Sequence, residues 1–152
     1  MLKPELVASP AWSTEWVAQA CYDLAAAAYP GGAPWRLATF AADLALPQSR
    51  YQLLVLRQRP IGFISLTTVL DETEVTNVAV HPDYQRHGYA RQMLETVFAQ
   101  LTAADKLFLE VRTSNVAARG LYEQCGFEKI SVRQNYYQHP REDAIIMRKI
   151  IE

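Results

Sequence analysis

The apolar positions of this chain change their period several times, and each change marks an element. From Ser13 to Tyr29, Trp16, Val17, Ala20, Leu24 and Ala28 recur at helical spacing behind Ser13 or Thr14 as N-cap, until Pro30-Gly31-Gly32 stops the run. A shorter helix is expected from Pro34 to Leu46, with Trp35, Phe40 and Leu44 on an inward face and Pro47 closing it. Two β-branched and aromatic runs, Tyr51 to Leu56 and Ile61 to Leu70, flank Arg57-Gln58-Arg59-Pro60 and predict an antiparallel hairpin. Glu74 to Val80 alternates as a third strand and halts at His81-Pro82-Asp83.

After Gly88 the period becomes helical again: Ala90, Met93, Leu94, Val97, Phe98 and Leu101 make an amphipathic helix of about three turns. A strand from Lys106 to Arg112 follows. Next comes a helix capped by Ser114 or Asn115 that runs to Cys125, with Gly126 as its left-handed terminator. Strands near Phe127 to Asn135 and Asp143 to Ile150 end the series. The strand-helix-strand unit from Val75 to Val111 predicts a right-handed parallel crossover, and the hairpins around it are antiparallel. The expected fold is α/β of the α+β kind: a mixed, mostly antiparallel sheet of about six or seven strands flanked by about four helices, in one domain over residues 1–152.

With half of its 152 positions hydrophobic, the chain can bury one sizeable core, and no low-complexity tract or long linker divides it. A formal net charge of -1 excludes the broad basic surface of a general nucleic-acid binder, so any such contact is local. Cys21 and Cys125 lie far apart without neighbouring ligands, offering neither a disulfide framework nor a zinc spacing. His81, His87 and His139 have no metal-site spacing either, so no metal is expected. No window nears the roughly twenty apolar residues of a membrane span, and no leader pattern opens the sequence; a cytoplasmic protein with reduced thiols is expected.

The chemistry concentrates in two places. Gln85-Arg86-His87-Gly88-Tyr89-Ala90-Arg91 joins a strand to a helix N-terminus, where backbone N–H groups lack partners and the macrodipole is positive. Gly88 lets a phosphate approach, Ala90 keeps the next inward position small, and Arg86 and Arg91 add charge. On its own such a segment is more often an ordinary tight turn with solvated arginines. It has neither the Lys-Ser/Thr ending of a nucleoside-triphosphate loop nor the three-glycine dinucleotide fingerprint. The second place is Glu110, which interrupts an apolar strand: alternation puts Leu107, Leu109 and Val111 on one face and Phe108, Glu110 and Arg112 on the other. A carboxylate there is either paired or at work, and a salt bridge to Arg112 or Lys129 is the plain structural alternative.

Gln85, Gly88 and Ala90 match the acetyl-coenzyme A signature of the GNAT superfamily: Gln or Arg, two variable residues, Gly, one variable residue, then Gly or Ala. Asn77 to Arg86, Leu109 to Asn115, Leu121 to Phe127, Arg133 to Tyr137 and Arg141 to Met147 resemble the RimI-type ribosomal-protein-alanine N-acetyltransferases within it. Weaker likeness reaches Val69 to Glu72 and Pro34-Trp35. Tyr89 and Ala90 stand where that family usually has a smaller aliphatic residue and glycine, and the loop before Arg141 is shorter.

The resemblance implies acetyl-CoA as cosubstrate. It places the backbone of Val78, Ala79 and Val80 along the pantetheine arm, and the amides of Arg86, His87, Gly88, Tyr89, Ala90 and Arg91 on the pyrophosphate. Asn115 also faces the cofactor. It implies Glu110 as general base and Tyr122 as the acid that protonates the departing thiolate; Tyr122 falls two turns after Asn115 on the same helix face. Tyr136, Tyr137 and Glu142 are implied to bind an acceptor peptide. Cys125 is a poor nucleophile, because it precedes the helix-ending Gly126, where the dipole disfavours a thiolate, so transfer is expected to be direct.

The acceptor implied is the N-terminal α-amine of a small-subunit ribosomal protein beginning with alanine. A peptide α-amine has a reference pKa of about 8 against about 10.4 for lysine, so a lysine acceptor adds a barrier of roughly 3 kcal/mol from protonation alone. The alternatives are an acceptor that is a small amine, an antibiotic or a lysine, or a non-catalytic CoA-binding or ribosome-associated module.

Overall fold

The computed structural model describes residues 3–152. In chain order the elements are β1 (Glu5–Ala8), α1 (Thr14–Ala28), α2 (Leu37–Leu44), β2 (Ser49–Leu56), β3 (Arg59–Val69) and β4 (Glu72–Val80). They continue with α3 (Tyr89–Gln100), β5 (Lys106–Arg112), α4 (Val116–Gln124), β6 (Glu128–Gln138) and β7 (Arg141–Ile150). Short 3-10 turns occupy Ser9–Ala11 and Pro82–Tyr84. All seven strands join one sheet in the order β1-β2-β3-β4-β5-β7-β6. Every neighbouring pair is antiparallel except β4 and β5.

Local chemistry accounts for most boundaries. Ser13 Oγ accepts from Trp16 N and starts α1, which buries Val17, Ala18, Cys21, Leu24 and Ala25. Trp16, grouped with Val17 and Leu24 by spacing, is 40% exposed and stacks on Trp12; a run rich in alanine leaves the buried face underdetermined by about one residue. The second helix is shorter than expected. It buries Phe40 and ends at Leu44, where the Asp43 carboxylate accepts from the Ser49 and Tyr51 hydroxyls and draws the chain round into β2. Only two residues turn the next hairpin, Arg57 and Gln58, both at positive φ, so β3 already begins at Arg59 and carries Pro60 opposite Val55. The strand β1 was not foreseen: four residues on a sheet edge are too few for alternation to register.

Two hydrophobic clusters lie on opposite faces of the sheet. On one, α1 and α2 cover Tyr51, Leu53, Phe63 and Ala79; on the other, α3 and α4 cover Leu66, Val75, Val80, Leu107, Leu109, Val111 and Met147. No helix among the described residues is long and apolar enough to cross a membrane.

Candidate active site

The expected alternation of β4 is broken once, and that break opens the sheet. Leu66 pairs with Val75 but Ser65 pairs with Asn77, so Thr76 is an extra residue in β4. Val75 therefore packs on the α3 side, whereas Asn77 and Ala79 turn to the α1 side with Val78 and Val80 opposite them. The parallel ladder to β5 spans only Glu72 to Glu74 and stops at this bulge. Beyond it β4 and β5 diverge, leaving the second half of β4 with an edge that no strand covers.

The turn after β4 stands at the α3 side of this split. Gln85 Nε2 donates to Val80 O at 2.9 Å and the His87 ring lies against the Tyr84 and Gln85 carbonyls, which fixes the loop from both ends. Gly88 sits at φ 77 as the residue before α3, a left-handed conformation suited to glycine, and a Cβ there would meet nothing within 4 Å. Among the described residues the amides from Arg86 to Arg91 find no acceptor; the first bond of the helix runs from Gln92 N to Gly88 O. A cleft of about 300 Å³ lined by Val80, Gln85, Gly88, Ala90, Ala117 and Leu121 opens over them. Arg91 is drawn to Glu95 at 2.8 Å, so Arg86 is the less compensated cation of the two.

On the opposite face, at the foot of the split, lies a second cavity of about 450 Å³ bounded by Glu72, Glu74, Phe108, Glu110, Arg133 and Ile146. Glu110 is there because β5 alternates as expected, with Leu107, Leu109 and Val111 buried on the α3 side. Its carboxylate pairs with Arg133 Nη1 at 3.0 Å, not with Arg112 or Lys129. Burial, then the nearby Glu110 charge, raises the Glu74 carboxyl above its ordinary value. Tyr136 is raised chiefly by its hydrogen bond to Glu110, and its ring lies under the Arg133 guanidinium.

Arg112 instead grips the β6–β7 turn, donating to the carbonyls of His139 and Pro140 and to Glu142 Oε1 at 3.3 Å while covering the Tyr137 ring at 4.1 Å. Glu142 also accepts from Ser114 N, and hydrogen bonding from the Ser114 side chain, then from that amide, holds its carboxyl below the usual range. The carboxylate thus faces inward, onto the protein. Burial pushes the Tyr137 phenol up to about 12.

Tyr122, on α4, packs edge-on against Phe127, and burial raises its phenol above the ordinary value, with Tyr29 and Tyr137 as its next contributors. Asn115 caps α4 by accepting from Ala118 N, two turns before Tyr122. Cys125 is buried, which raises its thiol. Three contributors carried no sequence signal. Tyr29 closes α1 and reaches the bare edge of β4, where its hydroxyl accepts from Val78 N at 3.2 Å. Arg133 and Glu74 are brought to Glu110 by pairings distant in sequence.

Residues 18–127 match the model of the acetyltransferase (GNAT) family. The chain is 42% identical over 118 residues to the [ribosomal protein bS18]-alanine N-acetyltransferase of Escherichia coli K12, covering 75% of this chain and 79% of that one. It is 33% identical over 136 residues to the N-alpha-acetyltransferase RimI of Mycobacterium tuberculosis H37Rv, covering 87% and 85%. The crystal structure of the Escherichia coli ribosomal-protein-S18-alanine N-acetyltransferase superposes with a TM-score of 0.83 at 35% identity, over 100% of this chain and 95% of that one. A bulged fourth strand, an amide-lined turn before α3 and this breadth of likeness lead to one assignment: the chain belongs to the acetyltransferase (GNAT) family.

Proposed function

We propose that this chain, acting as one domain in the cytoplasm, moves the acetyl group of acetyl-CoA directly onto the N-terminal α-amine of a small-subunit ribosomal protein that begins with alanine. Its Escherichia coli relative is named a [ribosomal protein bS18]-alanine N-acetyltransferase, which supports the alanine acceptor. One observation carries the reading: the β4–β5 pairing stops at Glu74, with an amide-lined cleft on one face of the sheet and a carboxylate-lined cavity on the other.

The residues present suit the nucleotide. Six consecutive amides without protein acceptors, at the positive end of a helix and beside a residue that has no Cβ, suit a pyrophosphate. The bare edge of β4 from Val78 to Val80 suits an extended amide-bearing arm, which adds the hydrogen bonds that β5 leaves unmade. Asn115, fixed as the cap of α4, is read as the side chain that this helix turns to the cofactor. When bound, acetyl-CoA supplies an acyl thioester.

The acceptor amine enters from the other face. Glu110, oriented by Arg133, takes the proton that the ammonium must lose before its nitrogen can bond to the acyl carbon. Tyr122 gives its proton to the departing sulfur from the α4 side; burial keeps that phenol protonated. In this reading base and acid act from opposite sides of the split, Glu110 on the amine and Tyr122 on the sulfur. Tyr136 and Tyr137 flank the amine's entrance, and Glu142 helps bind the peptide by holding their loop through Arg112 and Ser114.

The test is mass spectrometry of acetyl transfer. Purified protein and acetyl-CoA are offered a peptide with a free N-terminal alanine from the ribosomal protein, a lysine peptide with a blocked N-terminus, a polyamine and an aminoglycoside. A gain of one acetyl group on the first substrate alone is expected. Activity confined to the small amines or to lysine would overturn the acceptor, and inactivity on all four would favour a binding module.

A further inference from the structure

We propose that the Asn77 side chain binds the acceptor: its Oδ1 takes an N–H of the α-amine that Glu110 deprotonates. The inference rests on the reading above, in which the amine meets the acyl carbon where β4 and β5 part.

Asn77 stands just past the Thr76 bulge and is 2% exposed, yet its Oδ1 has no hydrogen-bond partner among the described residues. No other buried side-chain nitrogen or oxygen among those residues is left in that state. A bare acceptor at such depth destabilises the fold on the scale of a lost hydrogen bond. Three bonds decide why the bare atom is an oxygen. Thr76 Oγ1 donates to Ser65 O at 3.1 Å, which uses its only hydrogen. Ser65 Oγ, 2.6 Å from Thr76 Oγ1, must therefore donate to it, and accepts from Asn77 Nδ2 at 3.1 Å. Turning the Asn77 amide over would reverse the Ser65 hydroxyl and break the Thr76 bond to the backbone carbonyl. The chain of bonds is thus directed, and it ends on an acceptor that only an N–H or O–H can satisfy. Nδ2 and Oδ1 diverge from one trigonal carbon, so holding Nδ2 on β3 turns Oδ1 away from β3.

Strand register sets what lies across from it. Glu74 and Phe108 form the last rung between β4 and β5. One step on, Val75 and Leu109 both pack on the α3 side. The next step on β5 is Glu110, and on β4, once the extra Thr76 is passed, it is Asn77. Asn77 and Glu110 therefore stand level with one another, on the same face of the sheet and on opposite sides of the split. A carboxylate and an amide oxygen are both acceptors, a pairing that suits a group rich in N–H. An ammonium offers three. One proton passes to Glu110 before attack. A second leaves the nitrogen as the tetrahedral intermediate collapses and makes good the proton that Tyr122 gives the sulfur. The third remains as the N–H of the acetamide, and this is the hydrogen that Asn77 holds. Kept on Asn77, the nitrogen stays in place while its new lone pair turns to the acyl carbon.

The test compares wild type with Asn77→Leu, which keeps the volume and removes the amide. With CoA bound, calorimetry is run on a peptide beginning with alanine and on its des-amino form, in which a hydrogen replaces the amine. Expected are a fall of about 10- to 100-fold in kcat/KM, the scale of one hydrogen bond to a charged group, weaker binding of the alanine peptide alone, and unchanged affinity for the des-amino peptide and for CoA. Equal losses on both peptides, or weakened CoA binding, would mark an asparagine that merely holds the bulge and overturn the proposal. Wild-type kcat/KM and binding in the variant would leave Oδ1 to a buried water and overturn it too. Ser65→Ala removes the hydroxyl that aims the amide; should Asn77→Leu not fold, it decides by the same readouts, with a loss confined to the alanine peptide expected and equal binding overturning the proposal. Any of these failures beside an active wild type refutes Asn77 alone, whereas a wild type that neither binds CoA nor acetylates the alanine peptide refutes the reading beneath it.

Discussion

Gly62 of β3 pairs with Val80 of β4, and replacing it tests whether the far edge of β4 holds a ligand. A Cβ at this position would stand 2.8 Å from the Ala79 carbonyl oxygen and 3.5 Å from both Met93 Cε and Val80 Cα. The methionine tip can swing aside, but the carbonyl belongs to the strand, so Gly62→Ala displaces β4 by roughly 0.5 Å to reach ordinary contact. Overpacking of this kind costs about 1–3 kcal/mol, which for a domain of this size lowers the thermal midpoint by about 3–10 °C. The shift falls on Ala79 and Val80, the residues that present the bare edge, and it equals the roughly 0.5 Å tolerance of a positioned site. CoA affinity should therefore fall about five- to tenfold. Thermal unfolding and calorimetry with CoA measure the two effects on one sample. A variant that loses its midpoint yet binds CoA as wild type would show that the β4 edge does not hold the cofactor.

Gly88→Val puts a β-branched residue at φ 77 in open space; the backbone strain is about 1–2 kcal/mol, but CoA affinity should fall at least about tenfold as the branch fills the amide mouth, read by calorimetry. Glu110→Gln removes the proton acceptor and should lower kcat by about 10²- to 10⁴-fold at unchanged CoA affinity; activity within threefold of wild type would reassign the base. Because the Tyr122 phenol lies above its ordinary value of about 10, it remains an acid as pH rises. The kcat profile should thus climb as the amine deprotonates and then stay level to about pH 10, and a descending limb below that would exclude Tyr122 as the acid. Glu142, held below the carboxylate range by Ser114, adds stability that is present above its unfolded pKa of about 4.3 and lost as pH falls through its folded value. Midpoints of wild type and Glu142→Gln should therefore differ at pH 7 and converge in acid.

What the sequence disclosed follows from how far each signal reaches along the chain. β5 was bounded as found, from Lys106 to Arg112, because one face of a strand buried by a single neighbouring layer needs only strict alternation. The same rule put Glu110 on the face away from α3. Ser114 or Asn115 and Gly126 marked the start and end of α4, with the cap falling to Asn115, because capping is settled within four residues. The local signals failed wherever the partner was distant. Alternation through Glu74 to Val80 gave one unbroken strand, since nothing in those residues records that β3 skips Thr76; the bulge belongs to the pair and not to either strand. Glu110 was given Arg112, its neighbour two residues on, or Lys129 as structural partners. Arg112 proved to be engaged with the β6–β7 turn, which left Glu110 to Arg133 across the intervening strand β7.

The missed bulge and the missed tyrosine have one cause. A regular β4 would have hydrogen-bonded to β5 along its whole length, leaving Val78 N no unfilled direction and Tyr29 no amide to reach. The extra residue at Thr76 flips the faces and ends the ladder in the same step, so Ala79 packs under α1 while Val78 and Val80 turn to the α3 side. Helix α1, closed by Pro30 just beyond Tyr29, then stands within reach of the gap. The Gly88 turn advertises its chemistry in sequence because its amides and its helix are contiguous. The contact of Tyr29 with Val78 N could not, because it exists only where a helix end, a bulge and the limit of a parallel pairing coincide. Sites of that second kind are found by following each strand edge to its last hydrogen bond and seeing which side chain takes the next amide.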